Sequence, residues 1–376
     1  MALTRFLFLL LITLPGWGQE PQVVTTGLQA PHKILLTPGG NFVVSETSPA
    51  INSGRVSFVT RSGVRRTLFE GMPSGLDPVG AGSGPTAMAL RGETLYVAIG
   101  GGDAERRGAQ PGTAIHNPEG LSSPIFASVL EIQLSGPIDT LAGTFRLTTE
   151  HQQTLANGYE VELEDGAGGR ARITLLVDLP NSVPDPNSIY RFSNPWGLAL
   201  APDGGALYLA DASRNSIIRI DRVTGRSRTV TTFPPLPNSA PVGPPVVDAV
   251  PTSVRIYGSQ LLVSFLTGFP FSPGAARVLA VNPEQRTTEP FIFGLTSATD
   301  VLPRVRPDGR LQVFVLEFSA NQTAQPPAPG RLLRYDSPLA TVVTSALMAP
   351  VSMAIDESEN VLFVLELTGR ILRIAL

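Results

Sequence analysis

The chain has 376 residues, 28 Lys and Arg against 31 Asp and Glu for a formal net charge of −3, and no cysteine. The charge balance argues against a nucleic-acid partner or binding to an anionic membrane surface, and the missing thiol excludes disulfides, thiolate metal sites, cysteine nucleophiles and a lipid-modified N-terminal cysteine. The 37 glycines and 35 prolines separate short apolar runs, which is the composition of a turn-rich all-β protein.

Residues 1–18 have the layout of a secretory signal peptide. Arg5 supplies the positive end, 6–14 is an apolar run too short to span a bilayer, Pro15 breaks it, and Gly16 and Gly18 are small residues suited to cleavage after Gly18. No second long apolar run follows. The expectation is a secreted or periplasmic protein with no membrane span once the signal is removed, and a single domain over 19–376.

Residues 22–26 (QVVTT) read as a lone strand ahead of a repeating unit. The unit is clearest at 194–221. A turn at Asn194-Pro195 leads into an apolar strand, the reversal PDGG at 202–205, a second strand at 206–210, a turn at 211–215 and a third strand at 217–220; a fourth follows at 228–232. Four short antiparallel strands in about 40 residues is the size of one propeller blade.

Prolines mark further units at Pro31, Pro85, Pro251 and Pro350, and Thr299-Asp300-Val301 opens one without its proline. Six units predict a six-bladed β-propeller with four-stranded antiparallel blades. The last unit, ending with 369–376, lacks a fourth strand, so 22–26 is expected to complete it and close the ring. The span from Pro85 to Pro195 is twice the usual spacing and has room for a seventh blade. It shows no second proline–strand–reversal–strand pattern, so it is read as one blade with insertions at 100–123 and 136–170. The second insertion is expected to carry a hairpin of 160–165 with 171–178.

Strand alternation places the short 1–2 turns on one face. The long 2–3 loops (47–54, 100–123, 267–274, 319–330) and the crossings at 72–84 and 182–194 fall on the other. Loops on a rigid scaffold carry binding residues, so the loop-rich face is the candidate for an unknown small molecule or protein partner.

Several stretches carry a family resemblance. They are Ser193-Asn194-Pro195-Trp196-Gly197-Leu198, Val250-Pro251-Thr252, Leu266-Thr267-Gly268-Phe269-Pro270-Phe271 followed by Pro273-Gly274-Ala275-Ala276-Arg277-Val278, and Phe293-Gly294-Leu295-Thr296 with Thr299-Asp300-Val301. In this order they resemble the ScyD/ScyE family of exported six-bladed propellers, of NHL-repeat and TolB-like type, named after scytonemin-pigment gene clusters. The resemblance implies fold, export and a link to secondary-metabolite biosynthesis. It implies no catalytic residues.

Four second strands end in an acid: Glu46, Asp211, Glu317 and Glu366. Such a ring could hold a calcium ion. The simpler reading is that each carboxylate caps backbone N–H groups in its own blade. A lactonase-like calcium site would draw on Glu46, Asn194, Asp211 and Asn215, although Asp211 and Asn215 are also what the repeat's turn carries.

His32 lies where the first blade begins, whereas His116 and His151 fall in insertions, and no serine sits in a nucleophile elbow. Asn321-Gln322-Thr323 is a glycosylation sequon only in a eukaryotic host. Trp196, Phe269 and Phe271 offer an aromatic platform or, alternatively, packing between blades. The expectation is therefore a non-enzymatic binding or assembly module with no cofactor. The alternative is a calcium-dependent lactonase or gluconolactonase-like hydrolase.

Overall fold

A computed structural model describes residues 20–109, 114–180 and 192–376. The leader at 1–18 and most of the 182–193 loop lie outside the described residues. Six antiparallel sheets stand in a ring, each built outward from its first strand. Those first strands are Pro31–Leu36, Pro85–Arg91, Pro195–Leu200, Pro251–Tyr257, Ala298–Val305 and Pro350–Asp356, and they number the blades one to six. The second strands are fully buried in blades one, three and six (Phe42–Glu46, Ala206–Asp211, Val361–Glu366). Both their faces are covered by neighbouring blades, which is why they read as continuous apolar runs instead of alternating. Outer strands such as Ser227–Thr232 and Ala340–Leu347 face water and turn polar.

The ring closes as the terminal strands predict. Gln22–Thr25 pairs with Arg370–Ala375 as the fourth strand of blade six, with Gln22 opposite Arg373 and Val23 opposite Leu372. The Thr25 hydroxyl also donates to the Gly63 carbonyl of blade one at 2.9 Å.

The span from Pro85 to Pro195 holds one blade. The first insertion carries a small hairpin, Glu105–Arg107 with Ala114–His116. The hairpin expected in the second insertion forms between Val161–Glu164 and Arg170–Asp178. However, Arg170–Asp178 also pairs with Ser128–Leu134, so it is blade two's own fourth strand. The rest of the insertion crosses to blade one. Phe145–Arg146 adds a parallel fifth strand there, stacking Phe145 on Phe69 at 4.9 Å. Asp139, on a short 3-10 turn, accepts hydrogen bonds from Thr37 Oγ1 (2.6 Å), the Gly39 N–H (2.9 Å) and Asn41 Nδ2 (2.8 Å) in that blade's 1–2 turn. A helix at Thr149–Ala156, which the strand pattern does not predict, starts on a capping box between Thr148 and His151.

One irregularity recurs in all six blades. The register between the first and second strands shifts immediately after the first residue: between Pro31 and Lys33, Pro85 and Ala87, Pro195 and Gly197, Pro251 and Ser253, Ala298 and Asp300, and Pro350 and Ser352. A bulge of this kind re-aims the extra residue's side chain. That extra residue is His32, Thr86, Trp196, Thr252, Thr299 or Val351.

Candidate functional site

The innermost strands line the channel, and the bulge residues stand at its loop-rich end. In three blades the bulge residue is threonine, and its hydroxyl stitches neighbouring blades together. Thr86 donates to the Pro195 carbonyl (2.7 Å), Thr252 to Ala298 (2.8 Å) and Thr299 to Pro350 (2.9 Å). Blades one and three put rings at this position instead. His32 and Trp196 come from blades separated by blade two, yet their rings meet edge to face, with centroids 4.7 Å apart. The two therefore bridge the inside of the ring at the channel entrance. Solvent touches part of the imidazole, but protein surrounds it, and the lost hydration lowers its pKa from 6.5 to about 4. His32 Nδ1 is buried without a hydrogen-bond partner.

One step deeper, the third residues of the first strands carry a charged network that sequence reading missed. Asp300 is buried and accepts from Ser253 Oγ (2.6 Å), Arg255 Nε (3.1 Å) and Nη2 (2.6 Å), and the Met353 N–H (3.0 Å). Lys33 Nζ stands 3.7 Å from Asp300 Oδ2. Burial alone would raise the Asp300 pKa, but the Arg255 and Lys33 charges outweigh it and hold the carboxyl far below its usual range. Burial, together with the Arg255 charge, lowers Lys33 to about 8 against the pull of Asp300. A signal for these residues does exist in the sequence. Aligning the units on their opening residue puts Lys33, Asp300 and the serines at one position, with Ala87 and Gly197 completing the ring.

The four strand-end carboxylates do not come together. Each turns into its own blade and clamps the segment that leads into it. Glu317 accepts the Thr296 N–H (2.5 Å) and Arg331 Nε (2.6 Å), and Glu366 accepts the Met348 N–H (2.6 Å) and Arg370 Nε (2.5 Å). Glu46 bonds the Gln29 N–H, Ser57 and Arg55 in the same way. The clamp has a purpose: the residues just before these first strands, Ala30, Ser297 and Ala349, hold positive φ angles of 39°, 53° and 52°, a cost the surrounding bonds must offset.

Asp211 differs. Its shorter side chain reaches the Asn194 N–H (2.9 Å) and the Arg214 N–H (3.2 Å), it forms no arginine ion pair among the described residues, and Oδ2, with the Ser193 hydroxyl close by, is buried without a well-formed hydrogen bond. Burial raises its pKa. Asn194 Oδ1 accepts from the Gly101 N–H (3.1 Å), and Asn215 bridges Asp248 and the Val250 N–H. No group of three or more His, Asp or Glu side chains arranged to hold a metal occurs among the described residues.

Phe269 and Phe271 sit together on the blade-four loop, rings perpendicular at 6.3 Å. The loop is pinned by the Gly268 N–H to the Asp248 carbonyl (2.9 Å) and by Ser272 to Asn238 (3.3 Å). Phe269 is 60% exposed, whereas Phe271 is half-buried. This pair makes no ring contact with His32 and Trp196.

The fold defines the class: a six-bladed β-propeller. No family model and no curated protein matches the sequence, whereas solved structures do. An auxiliary nutrient binding protein from Bacteroides thetaiotaomicron aligns with a TM-score of 0.50 at 9% identity, over 93% of this chain and 69% of its own. A glucose dehydrogenase aligns with a TM-score of 0.50 at 12% identity, over 95% and 100%. Hydrazine synthase from Kuenenia stuttgartiensis aligns with a TM-score of 0.47 at 16% identity, over 91% and 75%. Such identities speak to fold alone, and the functions named differ, as expected for an architecture that hosts many chemistries.

Proposed function

We propose that the protein is an exported binding propeller that takes a small molecule or a protein segment on its loop-rich face, within a secondary-metabolite pathway of the kind the ScyD/ScyE resemblance suggests. One observation carries this reading. Most of the acids that could do chemistry on that face are tied into their own blades, while Phe269 is exposed and the His32–Trp196 pair stands at the channel entrance. The four strand-end carboxylates are held in their own blades, and His32 is a weak base pressed against Trp196. The His32–Trp196 pair at the channel entrance and the exposed Phe269 are left as recognition elements. The competing reading, a calcium-dependent lactonase-like hydrolase, needs the carboxylates to be free.

Trp17 and Trp196 are the only tryptophans, and Trp17 lies in the expected leader, so in the processed protein the fluorescence of Trp196 reports on the channel entrance alone. Indole and tyrosine derivatives should quench it saturably, and His32→Ala should weaken that binding. Gluconolactone with calcium should be hydrolysed no faster than without protein. Calcium-dependent turnover that is lost in Glu46→Gln and Asp211→Asn would establish the hydrolase instead.

A further inference from the structure

The channel has a second opening, on the face of the short 1–2 turns. It is a cavity of about 330 Å³, at the small end of the range for ligand sites. Apart from Arg255 its lining side chains are apolar, among them Leu35, Ile256, Leu302, Pro303 and Ile355, from blades one, four, five and six. The single charged side chain lining it is Arg255.

The charges behind this wall do not balance. Asp300 is one carboxylate facing two cations, Lys33 and Arg255. The other charged residues of the first strands look elsewhere: Asp356 pairs with Arg61, Arg304 with Glu357, and Arg91 reaches the Asp203 carbonyl. One carboxylate balances one cation, so the second leaves a net positive charge at the cavity that a bound anion can offset. Arg255 spends Nε and Nη2 on Asp300 and the Met353 carbonyl. Its Nη1 donors make no hydrogen bond to a described residue, and the side chain is half-buried at the cavity.

We propose that this opening binds a small amphiphilic monoanion, a carboxylate bearing a short apolar chain, with the carboxylate on Arg255 Nη1 and the chain against the apolar walls. The excess of one positive charge sets the charge of the ligand. The guanidinium's planar donors suit a carboxylate, and the walls select against small hydrated anions. The site lies on the opposite face from His32, Trp196 and Phe269, so it stands independently of whether those residues bind anything.

The test is calorimetric titration of the purified protein with sodium octanoate, 1-octanol and octyltrimethylammonium. Octanoate should bind at one site, and octyltrimethylammonium should not bind. Arg255→Met leaves Lys33 and Asp300 as a balanced pair, so the fold should survive. It should weaken octanoate by about tenfold or more while leaving octanol unchanged. Ile355→Trp fills the mouth with the charges intact and should weaken both. Thermal melting confirms that each variant is folded, and if Arg255→Met does not fold, Ile355→Trp decides. The proposal is overturned if octanoate fails to bind below about a millimolar, if octyltrimethylammonium binds as well as octanoate, or if octanoate binding is unchanged in the folded variants.

Discussion

The imidazole of His32 and the indole of Trp196 meet edge to face at 4.7 Å across blade two, at the two positions where the repeat's threonine has been replaced by a ring. The contact places a titratable group where protonation is costly. Above pH 6.5 neither the folded nor the unfolded state carries the charge, and His32 adds nothing to the pH dependence. Between 6.5 and about 4 the unfolded chain takes up a proton that the folded one refuses, so stability falls as pH falls; below about 4 the loss is complete. His32→Phe keeps a ring against Trp196 and removes the proton. Its loss of stability between pH 7 and pH 4.5 should be smaller than that of the wild type by about 1–2 kcal/mol, allowing for partial exposure. Denaturant melts at the two pH values measure it, and equal losses would contradict the assignment.

Replacing two acids of the same ring should have opposite consequences. Glu366 is bonded to the Met348 N–H and to Arg370, so Glu366→Gln should cost about 1–3 kcal/mol. Asp211 has a buried oxygen without a well-formed hydrogen bond, and its pKa is raised by burial. The unfolded state gives up its proton first as pH rises, so the charge costs stability progressively as pH rises toward and through the raised folded-state pKa. Asp211→Asn keeps one oxygen for the Asn194 and Arg214 N–H groups and drops the charge. Its thermal midpoint at pH 7 should be unchanged or higher, and a fall comparable to that of Glu366→Gln would show that the charge itself is needed.

Asp139 is the point at which an insertion in blade two holds a turn of blade one. Asp139→Ala removes three hydrogen bonds at once, two of them to Thr37 and Asn41 side chains. The expected loss is about 1–3 kcal/mol. Thr37→Val should account for part of it, and a double-mutant cycle should show coupling between the two. Additive losses would mean that the contact is incidental.

The ring was legible because proline and glycine punctuate it. Pro31, Pro85, Pro195, Pro251 and Pro350 each open a first strand, and the unpaired strand at one end matches the missing strand at the other. The strand-end acids were legible as positions, and they do bond within their own blades; their partners, the N–H groups just before each first strand and an arginine on the third strand, carry no turn signal. The channel was not. Lys33, Arg255 and Asp300 come from three blades, and within each strand they look like ordinary outward-facing polar residues in an alternating pattern. Only the curvature of the ring turns that face inward. The helix at Thr149–Ala156 was hidden for another reason: it is short, buries only Gln152 and Leu155, and owes its start to a Thr148–His151 cap that no apolar period announces.

The pairing of Gln22–Thr25 with Arg370–Ala375 has a consequence for the time before the ring is shut. The edge of Arg370–Ala375 and the strand that covers it lie almost the whole described chain apart, so pairing them closes the longest loop of the ring at the highest entropic cost, and this contact is expected to form late. Until then each molecule carries both a donor strand and a vacant edge. The three residue pairings involved do not distinguish a molecule's own strand from that of a neighbour. Proximity alone favours self-closure, and chains crowded together at that stage can exchange their first strands and close as a swapped pair.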